Sequence, residues 1–274
     1  MPLVDVSHLV KHYTRGSSLL GDGAIVKAVD DVSFAIEEGE TFALVGESGC
    51  GKTTTGRAIL RLVEPTSGSV KFRGEEIRDF SARRLRDARR HMQIVFQDPY
   101  SSLNPRMRAR AIVEEPLLIH RIGDSRSRRA RCEELFGLVN LDPAHLLRYP
   151  HEFSGGQRQR ISLARALALN PSFVVLDEAV SALDVSVQAQ VMALLADLQR
   201  RLSLTYLFIT HDLRLVEHFC SRVAVMYRGT IVEMGQTSDV FANPQHAYTR
   251  ALLSAVPPLD PDAAAQRIRY APTP

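Results

Sequence analysis

Gly46-Glu47-Ser48-Gly49-Cys50-Gly51-Lys52-Thr53 matches the pattern G-x-x-x-x-G-K-[ST]. Glycines at these positions let the backbone curl until successive N–H groups point inward at phosphate oxygens. A helix opening at the end of the loop adds partial positive charge. Lys52 has the reach and charge to hold β- and γ-phosphates, the Thr53 hydroxyl suits Mg²⁺, and Thr54 extends the cradle into the helix. Cys50 sits two residues before Lys52 at that helix start, so its thiol is expected to have a lowered pKa and to be the chemically sensitive one. A loop of this kind serves kinases, GTPases and motors alike.

Two further places carry chemistry. The run Phe173-Val174-Val175-Leu176 ends in Asp177 and Glu178. Alternation along a strand lets the two acids take different tasks. Asp177 is expected to hold Mg²⁺ through water, and Glu178 to polarise the water that attacks a terminal phosphate. The apolar run Thr205 to Thr210 ends in His211. A histidine at a strand's C-terminal end lies at the edge where ligands collect in open α/β sheets, within reach of a γ-phosphate.

These groups need a scaffold, and the rest of the chain describes one. The chain has 274 residues, 45% hydrophobic and 24% charged, which is ordinary globular usage and excludes a disordered, collagen-like or coiled-coil chain. No apolar run approaches the ~18 residues of a membrane span. The opening residues lack the charged and apolar regions of a secretory signal. Cys50, Cys132 and Cys220 form no CxxC pair, which suits a reducing compartment and argues against an iron–sulfur cluster. Strands are expected over Phe34–Ile36, Thr41–Val45, Ser69–Phe72, Met92–Phe96, Phe173–Leu176 and Thr205–Ile209. Helical patterning runs from Thr53 until Pro65 and Gly68 stop it, then over Arg83–Arg90 and Val187–Leu202, and residues 100–165 read as largely helical. Arg228-Gly229 between Val223–Tyr227 and Thr230–Glu233 signals a hairpin. The whole is an α/β core interrupted by a helical insertion. Net charge is +3, but residues 83–131 hold 13 Arg and no Lys against five acids, so that segment carries +8 and the remainder −5. Such a patch is either a set of solvated helix faces or a docking surface for a partner, anionic lipid or nucleic acid.

Phe153-Ser154-Gly155-Gly156-Gln157 has no role within a single phosphate loop. It resembles the signature sequence of ATP-binding cassette (ABC) ATPases, whose usual form begins with Leu. With that resemblance the other motifs align in order along the chain. Tyr13 matches the aromatic that stacks on adenine, Gln97 the Q-loop glutamine, which also touches the metal, Ser181-Ala182-Leu183-Asp184 the D-loop, and His211 the switch histidine. The run Phe96-Gln97-Asp98-Pro99-Tyr100-Ser101-Ser102-Leu103-Asn104-Pro105-Arg106-Met107 is similar to the dipeptide and oligopeptide importer subfamily, in particular its second ATPase subunit. So is Asn243-Pro244-Gln245-His246-Ala247-Tyr248-Thr249-Arg250. Ala179 departs from the family, which has proline after the catalytic Glu.

The resemblance implies an α/β fold: a P-loop NTPase, RecA-like core with an antiparallel β subdomain and a helical insertion near residues 98–165. The ATPase domain would cover residues 1–256, followed by a short, loosely ordered tail, 257–274. It implies ATP and Mg²⁺ as ligands, with Lys52, Glu178 and His211 catalytic. Nucleotide would be held by Tyr13, residues Gly46 to Thr54 (Gly46, Glu47, Ser48, Gly49, Cys50, Gly51, Lys52, Thr53, Thr54), Gln97 and Asp177. Ser154, Gly155, Gly156 and Gln157 would cover the ATP of a neighbouring cassette. Thr53, Gln97 and Asp177 would be the metal residues. The expected partners are a second ATPase subunit, identical or related, two membrane permease subunits and, through them, an extracytoplasmic solute-binding protein, at the cytoplasmic face of the inner membrane. Glutathione, nickel or oligosaccharide import is the alternative within the subfamily. A soluble ABC ATPase acting on nucleic acid or ribosomes is the alternative outside it. Such proteins carry paired cassettes or a coiled-coil insertion, and no nucleic-acid partner is expected here.

Overall fold

The computed structural model describes residues 1–15, 24–98, 102–255 and 270. The chain divides into two compact units, residues 1–80 with 207–274, and residues 81–206. Residues 99–101 of the run 96–107, and the tail from 256 other than Tyr270, lie outside the described residues. Among the described residues no helix is long and apolar enough to cross a membrane.

The first unit opens with β1 (Val4–Arg15), β2 (Ala24–Ile36) and β3 (Thr41–Val45), followed by α1 (Lys52–Ile59), β4 (Ser67–Phe72) and β5 (Glu75–Glu76). An antiparallel sheet runs in the order β2-β1-β4-β5. Its register sets Val4 opposite Ile36 and Phe72, and Val6 opposite Phe34 and Val70. All six side chains are buried, as period-two alternation requires of one face. Phe34 stacks on Phe42 of β3 with ring centroids 4.9 Å apart, joining this sheet to the central one.

Helix α1 stops at Ile59, short of the expected end before Pro65. Arg61 takes a left-handed φ of 50°. The Leu62 N–H bonds Arg57 O at 2.8 Å and the Arg61 N–H bonds Ala58 O at 2.9 Å, which satisfies the last carbonyls in a Schellman-type end. Arginine occupies this glycine-favouring position because its guanidinium is anchored. Nη1 donates to the carbonyls of Ile77 and Phe80 at 3.0 and 2.9 Å, and Nε to Glu64 at 2.8 Å.

The second unit holds α2 (Ala82–Ala88), β6 (Met92–Val95), α3 (Ala109–Ile119), α4 (Ser125–Leu138), α5 (Gly155–Leu167), β7 (Phe173–Asp177) and α6 (Val185–Leu202). Strands β6 and β7 pair in parallel. Helices α3, α4 and α5 pack on one another around buried Ile112, Val113, Leu135, Phe136 and Ile161. Many arginines of the basic segment are engaged within this unit. Glu114 accepts from Arg110 at 3.3 Å and Arg128 at 3.1 Å, while Arg129 pairs with Glu133 and Arg131 with Glu134.

Strand β8 (Thr205–Thr210) begins in the second unit and ends in the first. After it come α7 (Leu213–Phe219), β9 (Arg222–Tyr227), β10 (Thr230–Gln236), α8 (Thr237–Ala242) and α9 (Ala247–Ser254). The central sheet has the strand order β10-β9-β3-β8-β7-β6. Every residue of β3, β7 and β8 is buried. Their unbroken apolar runs are therefore those of strands covered on both faces. Arg228 (φ 45°) and Gly229 (φ 89°) form the expected tight turn between β9 and β10.

Candidate functional site

In the first unit, the loop 46–53 connects β3 to α1 as its sequence predicts. Gly46 (φ 149°) and Gly51 (φ 113°) are both obligatory. A Cβ on Gly46 would lie 2.2 Å from Met226 O, and one on Gly51 2.1 Å from Ala28 O. Lys52 is buried, and its Nζ donates to Gly46 O at 2.7 Å and Glu47 O at 2.9 Å, so the cation is drawn into the loop that its own helix closes. Gly51 is the N-cap of α1, with Thr53 and Thr54 half-buried in the first turn. The Gly229 N–H in the β9–β10 turn donates to Cys50 O at 2.9 Å, tying the loop to the hairpin.

Cys50 overturns its expectation. Its Sγ does lie 3.8 Å from Lys52 Nζ. Burial nevertheless pushes the thiol above its ordinary value, outweighing the lowering by Lys52. A thiolate here loses more hydration than the lysine and its hydrogen bonds return.

Tyr13 lies near the end of β1, exposed, with Lys11 Nζ 4.9 Å from its ring centroid. His211 directly follows β8 and is exposed. The next residue, Asp212, caps α7 through the Arg214 N–H and pairs with the Arg214 side chain at 2.8 Å.

In the second unit, Asp177 is the buried last residue of β7. Glu178 follows in a left-handed conformation with φ 49°, a strained setting for a side chain of this size. Ser181 stabilises the turn, its N–H and hydroxyl both donating to Glu178 O, at 3.1 and 2.9 Å. Gln97 Nε2 donates to Glu178 Oε2 at 2.9 Å. This pair joins two predicted residues 81 positions apart, a contact that sequence reasoning did not find. With the amide nitrogen engaged, the oxygen of Gln97 is the atom left as a cation donor. Gln97 and Asp177 in this unit, like Thr53 in the first, are hard oxygen donors of the kind Mg²⁺ takes.

Ser154 begins α5 with a reciprocal capping box, its Oγ accepting from the Gln157 N–H at 3.3 Å and Gln157 Oε1 accepting from the Ser154 N–H at 2.9 Å. A Cβ on Gly155 would meet only Leu183 Cδ2, at 3.7 Å. Gly156 differs, since a Cβ there would lie 2.3 Å from Val187 Cγ1. Of the two glycines expected to allow close approach of a ligand, Gly156 therefore has an intrachain packing role.

The profile described as ABC transporter matches residues 29–181. The one described as oligopeptide/dipeptide transporter, C-terminal region, matches residues 232–273. The chain is 51% identical over 271 residues to the oligopeptide transport ATP-binding protein OppF of Bacillus subtilis, covering 97% of this chain and 86% of that protein. It is 52% identical over 261 residues to the glutathione import ATP-binding protein GsiA of Pectobacterium atrosepticum, covering 95% of this chain and 42% of that one. Among solved structures, a dimeric ATP-binding cassette, MJ0796, in a post-hydrolysis state with ADP and Pi, superposes with TM-score 0.75 at 30% identity, over 85% of this chain and 98% of that one. CbiO1 of Clostridium perfringens, part of the ABC transporter complex cbiONQ, superposes with TM-score 0.77 at 27% identity, over 88% and 91%.

Proposed function

The chain belongs to the ABC transporter family of ATP-binding proteins and is an ATPase, and on that premise we propose that it powers peptide import through membrane permease subunits. The observation that carries the nucleotide reading is the loop 46–53, curled by its glycines around the Lys52 ammonium at the start of α1. In this reading the loop's N–H groups and Lys52 hold the β- and γ-phosphates, and Tyr13 stacks on adenine. Thr53, Gln97 and Asp177 hold Mg²⁺, which when bound neutralises charge on the phosphate oxygens. Glu178, kept in place by Gln97 and by its Ser181-braced turn, polarises the attacking water, and His211 holds a γ-phosphate oxygen. The water oxygen bonds the γ-phosphorus as the bond to the bridging oxygen breaks, leaving ADP and phosphate.

Ser154 to Gln157 present the N-terminus of α5 to the ATP of a second cassette, identical or related. ATP drives the transport cycle only through its higher affinity for the closed dimer. The match over residues 232–273 and the likeness to OppF support peptides as the solute. A solute-binding protein on the far side, and a place at the cytoplasmic face of the inner membrane, complete the assembly.

Glu178→Gln is the test of the chemistry. The amide keeps the shape and loses the charge, so turnover should fall at least ~100-fold while bound ATP is retained. Hydrolysis near the wild-type rate would remove Glu178 from its role. Uptake of labelled peptide by cells with and without the chain tests the solute, and unchanged uptake would overturn peptide import.

A further inference from the structure

The peptide group between Gly46 and Glu47 is gripped at both ends. Its oxygen accepts from Lys52 Nζ at 2.7 Å. Its N–H donates to Tyr248 Oη at 3.1 Å, across 201 residues of sequence. Tyr248 lies in α9, within the run Asn243–Arg250, which the chemistry above does not use. It is a fully buried side chain, and burial pushes its hydroxyl up to about 12, so at neutral pH it remains a protonated phenol. Its ring packs on Tyr227 of β9, centroids 4.4 Å apart, and against Tyr270 at 5.5 Å. Glu233 of β10 fixes the start of α9 by accepting from the Gln245 N–H at 2.7 Å and the His246 N–H at 2.9 Å. Tyr248 is thus held by a strand, a helix and an aromatic cluster, and its one polar atom meets the phosphate loop.

On the nucleotide-binding reading above, we infer that Tyr248 is a positioning residue for the phosphate loop, acting through the Gly46–Glu47 peptide, and that the C-terminal segment thereby sets nucleotide affinity. Rotation of this peptide would take the Gly46 carbonyl away from Lys52. The Tyr248 hydroxyl opposes that rotation from the N–H side, and hydrogen bonds at the two ends of one peptide polarise and strengthen each other. A loop already held in its lysine-binding form has less ordering to do when phosphates arrive, so the effect falls on binding.

The test is titration of the purified full chain with a fluorescent ADP in the presence of Mg²⁺, alongside steady-state ATP hydrolysis. Tyr248→Phe keeps the ring and removes only the hydroxyl. Its Kd and KM should rise together by about 3- to 10-fold, the equivalent of one neutral hydrogen bond, while kcat changes by less than about twofold. A purely structural role would instead lower the active fraction, and with it kcat, at unchanged Kd. Glu233→Gln acts on the same contact from behind and should raise Kd about 2- to 3-fold, so it decides the matter if Tyr248→Phe does not fold. Unchanged Kd in a folded variant, with Lys52→Ala losing nucleotide as expected, would overturn this inference alone. Wild-type affinity in Lys52→Ala would overturn the nucleotide reading of the loop and this inference with it.

Discussion

Replacing Gly156 with alanine separates packing from ligand contact in the signature segment. The new Cβ would lie 2.3 Å from Val187 Cγ1. Ordinary carbon contacts are about 3.5–4.0 Å, so α5 and α6 must part by more than about 1 Å, or Val187 must change rotamer. Overpacking of this kind costs about 1–3 kcal/mol. Exchanging glycine for alanine in a helix returns up to about 1 kcal/mol, and less in the first turn, where Gly156 sits. The net loss is about 1 kcal/mol, which lowers the melting temperature by about 2–4 °C for a chain of this size. Gly155→Ala meets no such obstacle, since its nearest neighbour is at 3.7 Å, and should melt at or slightly above the wild-type temperature. It should still lose ATP turnover, because the proposed dimer sets residues 154–157 against the ATP of a second cassette. The assay is thermal unfolding of Gly156→Ala, Val187→Ala and the double variant, with ATP hydrolysis measured on each. Val187→Ala removes the clashing methyl, so the cycle should show about 1–2 kcal/mol of favourable coupling. Coupling below about 0.3 kcal/mol would refute the packing role of Gly156.

Cys50 should react slowly with iodoacetamide at neutral pH. Its thiol is held above the ordinary value of 9.0, so less than about 1% is thiolate at pH 7. Because the reactive form is the deprotonated one, the alkylation rate should climb about tenfold per pH unit through pH 9. A plateau below pH 8 would contradict this, and Cys132, pushed up to about 11, should be slower still. Glu114→Gln leaves Arg110 and Arg128, 30% and 18% exposed, facing a neutral amide. Urea unfolding should show a loss of about 1–3 kcal/mol, and a variant as stable as wild type would return these arginines to the free surface.

Contiguous chemistry was legible without coordinates. The loop 46–53 shapes itself, because its three glycines all take backbone angles open to few other residues and its lysine is the next helix's first residue. The unbroken apolar runs of β3, β7 and β8, and the Arg228-Gly229 turn, likewise carry their own conformational instructions. Where the outcome depended on what lies alongside, local pattern failed. Apolar Leu62 and Val63 extended the helical pattern of α1, but a left-handed Arg61 ends it, anchored by carbonyls 16 and 19 residues on. Adjacency to Lys52 argued for a reactive Cys50, yet burial, a property of the folded whole, reverses the shift. The net charge of the arginine run already included Glu114, but only the fold sets that carboxylate between Arg110 and Arg128. Gln97 meeting Glu178, and Tyr248 meeting Glu47, are bonds across 81 and 201 residues. Residue types and local spacing select backbone conformation. Which side chain lies against which, and how much water remains between them, is decided only when distant segments pack.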